Sequence, residues 1–418
     1  MRLALSCVAM ERSEFVQQFA ATDGEQPTGR PLRVAHLIVG LVRAGAETAL
    51  LRLILDTRGT VQHHVVGMTY ECALASAMKD AGARVTVLGS SRRVPNPLLL
   101  RNATGALLSD SPDVIHVWMW HAAALWGMCR IDARIRKIPC VWGIRSSLDP
   151  KRKSLSSRLA IACARASSAY PRAIMFNSER SRAQHARAGF CMEHASVTHN
   201  GVDVPGEVDI AHWRRDIRAQ IGATDDAIVF MHVGRAHPDK GIGNFVEAAE
   251  IVHAQFGARA VFVRVGKPGW ETAQSRADIA LERSPLIYHA GEQLDARPWL
   301  AAADICAMTS LSESCPNVVL EAMSVGTPVV ATDVGDTALL VGECGWVVQP
   351  NSPGALAAAM IAAASIIAQP SDRARLSAEC RTVIASRYRR EEVARKQIAI
   401  YQGVIRPRVG AEALAGRR

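Results

Sequence analysis

Two carboxylates, Glu313 and Glu321, stand with seven residues between them in a stretch that also carries strand and helix signals. The apolar run after Asp304 predicts a buried strand, the polar residues around Glu313 predict a loop, and Pro316 suits the first position of a short helix. Glu313 then lies at the carboxyl end of a strand, where open α/β sheets bind ligands, and Glu321 lies about one turn into the helix. We therefore expect both carboxylates to line one crevice.

The start of this helix adds hydrogen-bond donors to the same crevice. The first backbone N–H groups of a helix have no partner inside it, and they favour sugar hydroxyls and anionic oxygens. A solvated acidic pair on an ordinary strand–loop–helix unit is the competing interpretation. The residues at this helix start are Ser314, Cys315, Pro316, Asn317 and Val318.

The segment resembles the signature of the retaining nucleotide-sugar glycosyltransferases of family four. The residues that match it are Ser310, Glu313, Pro316, Asn317, Glu321, Ala322, Met323, Gly326, Pro328 and Gly335. Ser314 and Cys315 replace the usual Gly-Phe pair, and Asp336 replaces the second Gly. These departures fall where backbone amides of the family contact the donor sugar. The resemblance implies that Glu313 binds the donor sugar and that Glu321 binds the nucleotide ribose.

Two cations, Arg235 and Lys240, bracket a second loop that is rich in glycine. An apolar strand is predicted before it at residues 227–234, and a helix after it at residues 242–255. Fixed positive charges suit a diphosphate leaving group, because they stabilise the negative charge that develops on it. Solvated loop cations are the alternative from spacing alone. In the resembled family an Arg and a Lys at these positions hold the donor diphosphate, and Gly234 matches the same motif.

The first strand-to-helix turn of the chain carries Gly40 and Gly45 with four residues between them. This spacing looks like part of a P-loop, but Ala46 and Glu47 stand where such a loop requires Lys and Ser or Thr, so ATP binding there is not expected. A glycine needed for close backbone approach is the better interpretation of Gly45. In the resembled family the equivalent turn lies beside the donor phosphates, which implies a donor-binding role for Gly45.

Two further polar side chains follow predicted strands of the first half. His116 and His121 stand at and just after a strand end, where a histidine is more often structural than catalytic. The resemblance implies that His121 lies near the acceptor and the donor sugar. Arg145 stands where many relatives carry a histidine, and its guanidinium suits a phosphate or an anionic sugar but cannot act as a general base. The candidate catalytic residues are therefore His121, Arg145 and Glu313.

Strand and helix signals alternate along the 418 residues, which predicts parallel sheets of the α/β class in two or three domains. The resemblance implies the GT-B fold, in which two Rossmann-like, doubly wound parallel-sheet domains face each other across a cleft. Residues 31–202, with a C-terminal helix at about 385–418, would bind the acceptor. Residues 203–384 would bind the nucleotide sugar, and residues 1–30 are predicted to be a disordered extension. One long helix is predicted at residues 381–404.

The net charge of +10 is distributed unevenly along the chain. Residues 1–200 carry 26 basic and 14 acidic side chains, a net charge of +12, whereas residues 201–418 carry 23 and 25, a net charge of −2. A solvated basic face is one explanation. The concentration of charge at residues 130–187, and above all at 151–153, instead favours contact with an anionic membrane surface. No nucleic-acid motif accompanies the charge, so nucleic acid is not an expected partner. We expect a cytoplasmic protein with peripheral contact to the inner face of the cytoplasmic membrane.

The sequence lacks the signatures of metal sites and of disulfide frameworks. The ten cysteines form no C-x-x-C pair, so the sequence supports neither a zinc site nor a disulfide framework. No D-x-D element occurs, which removes the metal ligands of the other large glycosyltransferase fold. We expect no metal and no resident cofactor, with a UDP- or GDP-linked sugar as the co-substrate.

The residues and the resemblance together predict a metal-independent, retaining glycosyltransferase. It would move a hexose-type sugar from a nucleotide-diphosphate donor to a lipid-linked glycan acceptor in bacterial surface polysaccharide biosynthesis. Two alternatives stay open. One is a nucleotide-sugar epimerase on the same fold, and the other is an inactive sugar-nucleotide-binding subunit that assists a partner enzyme.

Overall fold

The computed structural model describes residues 30–42, 44–70, 72–90, 98–148, 154–267 and 284–406. The chain divides into two compact units. The first comprises Met1–Asn177, Arg182–Thr198 and Val393–Arg418, and the second comprises Ser178–Ser181 and His199–Glu392. The predicted N-terminal extension lies outside the described residues apart from Arg30, and so does the basic stretch at residues 151–153.

Among the described residues of the first unit, seven strands form one parallel sheet. They are β1 (Leu32–Ile38), β2 (Val61–Thr69), β3 (Arg84–Ser90), β4 (Val114–Trp118), β5 (Cys140–Ile144), β6 (Ala173–Phe176) and β7 (Ala195–Val197). Their order across the sheet is β3-β2-β1-β4-β5-β6-β7. The order reverses between β1 and β4, so their carboxyl ends form the switch point at which doubly wound sheets bind ligands.

Helices cover both faces of this sheet. Val34 and Ile38 of β1 enter one hydrophobic core, whereas Ala35 and Leu37 enter the core on the other face. A strand that is buried on both faces has little need of polar residues, which explains its nearly continuous apolar sequence. The helices are α1 (Gly45–Asp56), α2 (Ala75–Asp80), α3 (Leu99–Leu108), α4 (Met119–Cys129), α5 (Ala133–Lys137), α6 (Leu155–Ala166) and, from Arg182 on, α7 (Glu179–Arg187).

A chain of hydrogen bonds runs through one of these cores. The indole N–H of Trp118 donates to Nδ1 of His36 at 3.2 Å, so Nε2 of His36 carries the proton and donates to Nδ1 of His63 at 2.9 Å. Nε2 of His63 donates in turn to Oγ1 of Thr57 at 2.7 Å, and this hydroxyl donates to the carbonyl oxygen of Leu53 at 2.6 Å. Each imidazole therefore donates one hydrogen bond and accepts one, as the neutral form does. Burial lowers the pKa of His63 to about 4 and the pKa of His36 well below its usual value.

In the part of the second unit that the structure describes, six strands form another parallel sheet. They are β8 (Ile228–Val233), β9 (Ala260–Val265), β10 (Ile287–Gly291), β11 (Ile305–Met308), β12 (Val329–Thr332) and β13 (Gly345–Val348). Their order is β10-β9-β8-β11-β12-β13, so the switch point lies between β8 and β11. The two sheets confirm the predicted α/β architecture of two doubly wound units.

The remaining helices pack around this second sheet, except the last one, whose residues from Val393 on belong to the first unit and pack in its core. They are α8 (Glu207–Gln220), α9 (Ile242–Phe256), α10 (Arg297–Ala302), α11 (Asn317–Ser324), α12 (Thr337–Val341), α13 (Pro353–Ile367), α14 (Pro370–Arg387) and α15 (Arg390–Ile405). Taken singly, none of the described helices is both long and apolar enough to cross a bilayer. The helices α13 and α14 reach that length and composition only as a pair that is bent by 111°.

The prediction of one long helix at residues 381–404 is wrong, because α14 ends and α15 begins within this stretch. Backbone groups at the break pair with Val202 instead of continuing the helix. The N–H of Val202 donates to the carbonyl oxygen of Tyr388 at 2.9 Å, and the N–H of Arg390 donates to the carbonyl oxygen of Val202 at 3.1 Å. These two bonds replace helical ones, and the helix is interrupted there.

Candidate functional site

Lys240 and Glu313 lie side by side at the switch point of the second sheet. Lys240 ends a 3₁₀ turn, Pro238–Lys240, that follows β8, and Glu313 lies in the loop that follows β11. The ammonium of Lys240 donates to Oε1 of Glu313 at 2.5 Å, and the hydroxyl of Ser310 donates to the same oxygen at 2.8 Å. The two charged side chains are 23% and 16% exposed. One predicted cation and one predicted carboxylate thus form a single cluster.

Gly241 explains why the two loops meet. Its φ of +59° is a left-handed conformation that favours glycine, and a Cβ atom there would lie 2.2 Å from the carbonyl oxygen of Thr309. The hydroxyl of Thr309 donates to the carbonyl oxygen of Lys240 at 2.8 Å. The N–H of Leu311 donates to the carbonyl oxygen of Asp239 at 2.7 Å. These backbone contacts fix the position of the ammonium relative to the carboxylate.

Arg235 extends the positive charge along the loop after β8. It follows Gly234, and its side chain is exposed. Gly266, at the end of the neighbouring β9, has a φ of +140°, and a Cβ atom there would lie 2.0 Å from the carbonyl oxygen of Gly234. The two strand ends are therefore in backbone contact, which requires glycine at position 266. The guanidinium of Arg235 makes no ion pair with another described residue, and the ammonium of Lys240 has two N–H donors beyond the one that binds the carboxylate.

The loop that leads into α11 is held by buried polar contacts. Nδ2 of Asn200 donates to the carbonyl oxygen of Cys315 at 2.9 Å and to Oδ1 of Asn317 at 2.5 Å. The backbone N–H of Asn200 donates to Sγ of Cys315 at 3.5 Å. The hydroxyls of Ser314 and Ser178 share a hydrogen bond of 2.9 Å. The side chains of Ser314 and Cys315, which depart from the family pattern, are thus buried in contacts within the second unit.

The start of α11 corrects one expectation. The helix begins at Asn317, and Pro316 occupies the preceding position with a φ of −70° and a ψ of 114°. A residue with this extended ψ is a helix cap and not a helical residue. Val318 is buried in the first turn, and Glu321 is partly buried further along the helix. Burial, and to a smaller extent the carboxylate of Glu321, raise the pKa of the Cys306 thiol on β11 to about 12, which places Glu321 within electrostatic range of that strand.

Asp336 is a residue that the sequence analysis missed, since it appears there only as a departure from the family pattern. Its carboxylate accepts hydrogen bonds from the N–H groups of Glu179 and Arg180 at 2.7 and 2.9 Å and from Nε2 of His199 at 2.9 Å. Burial would raise the pKa of Asp336, but the hydrogen bonds from His199 and from the two amides hold it below its ordinary value. The N–H of Asp336 also donates to the carbonyl oxygen of Ser314 at 2.8 Å. Asp336 therefore connects the loop that carries Ser314 to Glu179, Arg180 and His199.

The candidate residues of the first unit follow strands at its switch point or next to it. Gly45 begins α1 after β1, His121 lies in the first turn of α4 after β4, and Arg145 follows β5. The N–H of Arg145 donates to Sδ of Met119 at 3.3 Å, and its guanidinium lies 5.8 Å from the ring centre of Trp118. The loops after β4 and β5 are thus in contact, which holds Arg145 close to the start of the helix that carries His121.

Two expectations about the first unit can be refined. A Cβ atom on Gly45 would meet no atom within 4 Å. Close approach of the described backbone is therefore not the reason for glycine at this position, and that interpretation is wrong. Approach of a ligand phosphate stays a prediction. His116 has a structural role, because it is fully buried on β4 and its Nδ1 lies 2.6 Å from the hydroxyl of Tyr401.

Two doubly wound parallel sheets, one of them with a cation–carboxylate cluster at its switch point, define the chain as a two-domain α/β protein of the GT-B fold. The family model for Glycosyltransferase Family 4 matches residues 33–204, and the model for Glycosyl transferases group 1 matches residues 227–365. The chain therefore belongs to the glycosyltransferases that these two models describe. Lys240 and Glu313 both lie within the second match.

Relatives with assigned names match parts of the chain. The putative teichuronic acid biosynthesis glycosyltransferase TuaC of Bacillus subtilis (strain 168) is 34% identical over 148 residues, which are 35% of this chain and 36% of TuaC. D-inositol 3-phosphate glycosyltransferase 1 of Catenulispora acidiphila is 28% identical over 266 residues, which are 58% of this chain and 61% of the relative. The chain thus spans 36% and 61% of the length of these two relatives.

Solved structures match more of the chain at lower identity. Anabaena Alr3699/HepE, whose crystal structure contains UDP-glucose, is 21% identical, and the match covers 89% of this chain and 99% of that chain with a TM-score of 0.73. At this identity the likeness shows the fold alone.

Proposed function

We propose that the protein is a metal-independent, retaining glycosyltransferase that moves a hexose-type sugar from a nucleotide-diphosphate donor to a glycan acceptor. The observation that carries the proposal is the cluster of Lys240, Glu313 and Ser310 at the switch point of the second sheet, with Arg235 on the same loop. It combines fixed positive charge with a carboxylate where sheets of this type bind nucleotides. Family membership supports the chemistry, and the UDP-glucose complex of the Anabaena protein supports a nucleotide sugar as donor.

In this proposal the second unit binds the donor. Lys240 and Arg235 hold the diphosphate and stabilise the charge that develops on it as the bond from the anomeric carbon to the phosphate oxygen breaks. Glu313 accepts hydrogen bonds from hydroxyls of the donor sugar, and Glu321 accepts them from the nucleotide ribose. The amides at the start of α11 add donors for anionic oxygens. A phosphate oxygen of the donor takes the acceptor proton as the new glycosidic bond forms on the face that the diphosphate leaves, so configuration is retained.

The first unit binds the acceptor in this proposal. His121 and Arg145 follow neighbouring strands there, and the guanidinium of Arg145 keeps its charge, which suits the phosphate of a lipid-linked glycan. The likeness to TuaC supports a role in bacterial surface polysaccharide biosynthesis. The excess of basic residues at 130–187 supports a location at the inner face of the cytoplasmic membrane.

The proposal is tested first by thermal unfolding of the purified protein with UDP- and GDP-linked hexoses, because a ligand that binds the folded state raises the melting temperature. The stabilising donor is then incubated with a membrane extract that contains lipid-linked acceptors. We expect release of nucleoside diphosphate that depends on the acceptor and is lost in Lys240→Ala and Glu321→Ala, provided that both variants remain folded. Near-normal turnover in both variants would overturn the assignment of the site.

The same assays separate the two alternatives. An epimerase would convert the UDP-sugar without an acceptor, whereas an inactive subunit would bind the nucleotide sugar without turnover. The case for an inactive subunit depends on Ser314, Cys315 and Arg145, which depart from the family pattern. The burial of the Ser314 and Cys315 side chains among Ser178 and Asn200 supports the enzyme, because neither side chain then occupies the place of a donor sugar.

A further inference from the structure

Helix α6 of the first unit has two apolar faces instead of one. Ala160 and Ala164 are buried against the rest of the unit. On the opposite side, Leu155 and Leu159 are 81% and 66% exposed. With about 100° of rotation per residue, the exposed apolar positions fall within a stripe about 100° wide. This stripe consists of Leu155, Leu159, Ala162, Cys163 and Ala166.

The exposed apolar surface continues beyond the C-terminal end of α6. Tyr170 is 56% exposed, and its ring centre lies 4.0 Å from the guanidinium of Arg130, which follows α4. On either side of Arg130, Met128 and Ile131 are 52% and 78% exposed. We call Tyr170, Met128 and Ile131, together with the exposed stripe of α6, the α6 patch. Surface helices of soluble domains normally turn polar residues outward, so a patch of this kind indicates an interaction site.

The α6 patch is bordered by positive charge. Arg158 and Arg165 lie on α6 beside the exposed stripe, and both are exposed. Between residues 154 and 178 the chain contains three arginines and no aspartate or glutamate. A basic residue close to an anionic bilayer is attracted to its surface. The α6 side of the patch therefore combines apolar side chains with cations and contains no acidic residue. Asp132, which follows Ile131, is paired with Arg134 at 2.7 Å.

We propose that the α6 patch docks the first unit on an anionic membrane, with Leu155 and Leu159 inserted at the boundary between headgroups and acyl chains. Helices that lie in this boundary turn an apolar face edged by Lys or Arg towards the lipid, and the exposed face of α6 has this arrangement. A second copy of the chain would bring Arg158 and Arg165 towards an equally basic surface, and like charges at an interface oppose association. Only the purpose of this docking, which is to bring a lipid-linked acceptor to the first unit, rests on the proposed function.

Vesicle co-sedimentation tests the proposal with the full chain, without nucleotide sugar. The vesicles contain phosphatidylglycerol mixed with phosphatidylcholine, or phosphatidylcholine alone. The parent protein should bind the anionic vesicles, and salt should weaken the binding because it screens the arginines. The variant Leu155→Ser/Leu159→Ser should lose about tenfold or more in its partition coefficient, because two apolar side chains no longer enter the bilayer. Val208→Ser is the matched control, since Val208 is 68% exposed in the first turn of α8 and should bind as the parent does.

Equal vesicle binding by the parent and the double variant would overturn the proposal. Absence of parent binding to anionic vesicles, or equal binding to phosphatidylcholine alone, would also overturn it. Sedimentation without lipid measures the oligomeric state of both proteins. A dimeric parent and a monomeric double variant would assign the patch to a second copy of the chain and so contradict docking. Stabilisation by UDP- or GDP-linked hexose is measured on the same proteins without lipid and should not change in the double variant. Its absence in the parent would count against the proposed function and leave docking intact.

Discussion

The ammonium of Lys240 and the carboxylate of Glu313 are joined at 2.5 Å across two loops that meet at the switch point of the second sheet. The pair is mostly buried, and the hydroxyl of Ser310 also binds the carboxylate. A buried cation with a counter-charge costs less to desolvate than an isolated one. The carboxylate therefore holds the ammonium in place before an anionic ligand arrives.

This relationship predicts different effects of two substitutions on nucleotide binding. Lys240→Met removes the cation and leaves a buried carboxylate without its counter-charge, so UDP affinity should fall about tenfold to a hundredfold. Glu313→Gln keeps the size of the side chain and an acceptor for Ser310, but it removes the charge that competes with the diphosphate. UDP affinity should then be unchanged or higher, while sugar transfer falls about a hundredfold or more.

Titration calorimetry with UDP and the rate of UDP release measure the two effects separately. A loss of UDP affinity in Glu313→Gln as large as that in Lys240→Met would show that the carboxylate serves nucleotide binding directly, against this prediction.

Gly241 and Gly45 form a matched pair of alanine variants, because they differ in what the added methyl group meets. Gly241→Ala places a Cβ atom 2.2 Å from the carbonyl oxygen of Thr309 at a left-handed residue, so the free energy of unfolding should fall by about 2–4 kcal/mol and UDP binding should be lost. Gly45→Ala meets nothing within 4 Å, so its stability should stay within about 0.5 kcal/mol of the parent. If the donor phosphates approach Gly45, the KM for the sugar nucleotide rises in this variant while the melting temperature stays the same. An unchanged KM would remove Gly45 from the donor site.

The fold and the charged half of the site could be predicted from the sequence, because local patterns carry them. Strands buried on both faces give short apolar runs such as the one around Leu37, and alternation with helices specifies parallel sheets. Lys240 and Glu313 each follow a strand of the second sheet. Because β8 and β11 are neighbours at the switch point, the carboxyl ends of both strands bring the two side chains together.

The supporting contacts could not be predicted, because they join residues that are distant in sequence. His199 and Asp336 are 137 positions apart, and no local pattern relates them. The break near Tyr388 has the same origin, because backbone groups there pair with Val202, which is distant in sequence. At Gly45 the local sequence pattern was misleading, because an added Cβ atom would meet no described atom within 4 Å.

Asn200 is predicted to control the shape of the loop that leads into α11. Its amide is buried and donates to both Cys315 and Asn317, so Asn200→Ala leaves two acceptors without that donor. The free energy of unfolding should fall by about 1–3 kcal/mol, and donor affinity should fall with it because the amides of the loop lose their fixed positions. Asn102→Ala, at an exposed position of α3, is the control for the loss of an asparagine side chain. Urea unfolding and UDP titration of both variants measure the effect, and equal stability of the two would contradict it.

The hydrogen-bonded imidazoles of His36 and His63 predict that the first unit loses stability in mild acid. Burial lowers the folded-state pKa of His63 to about 4 and that of His36 well below its usual value, whereas an unfolded chain titrates near 6.5. Below about pH 6.5 the unfolded state therefore binds protons that the folded state does not. Stability is fully present above that pH and is lost as the pH falls towards 4. His63 alone should contribute a loss of about 2 kcal/mol by about pH 5.

Hydrogen exchange of peptides from β1 and β2, at about pH 7.5 and about pH 5 with correction for the intrinsic exchange rate, measures this loss in the first unit itself. Unit-specific detection is needed because burial also lowers the pKa of His232, on β8 of the second unit, to about 3. His63→Gln supplies the control, since an amide can accept from His36 and donate to Thr57 but does not titrate. The variant should show a smaller loss of protection on acidification than the parent. An equal loss would mean that His63 is not held neutral in the folded state, and the hydrogen-bonded chain would then not explain the acid sensitivity.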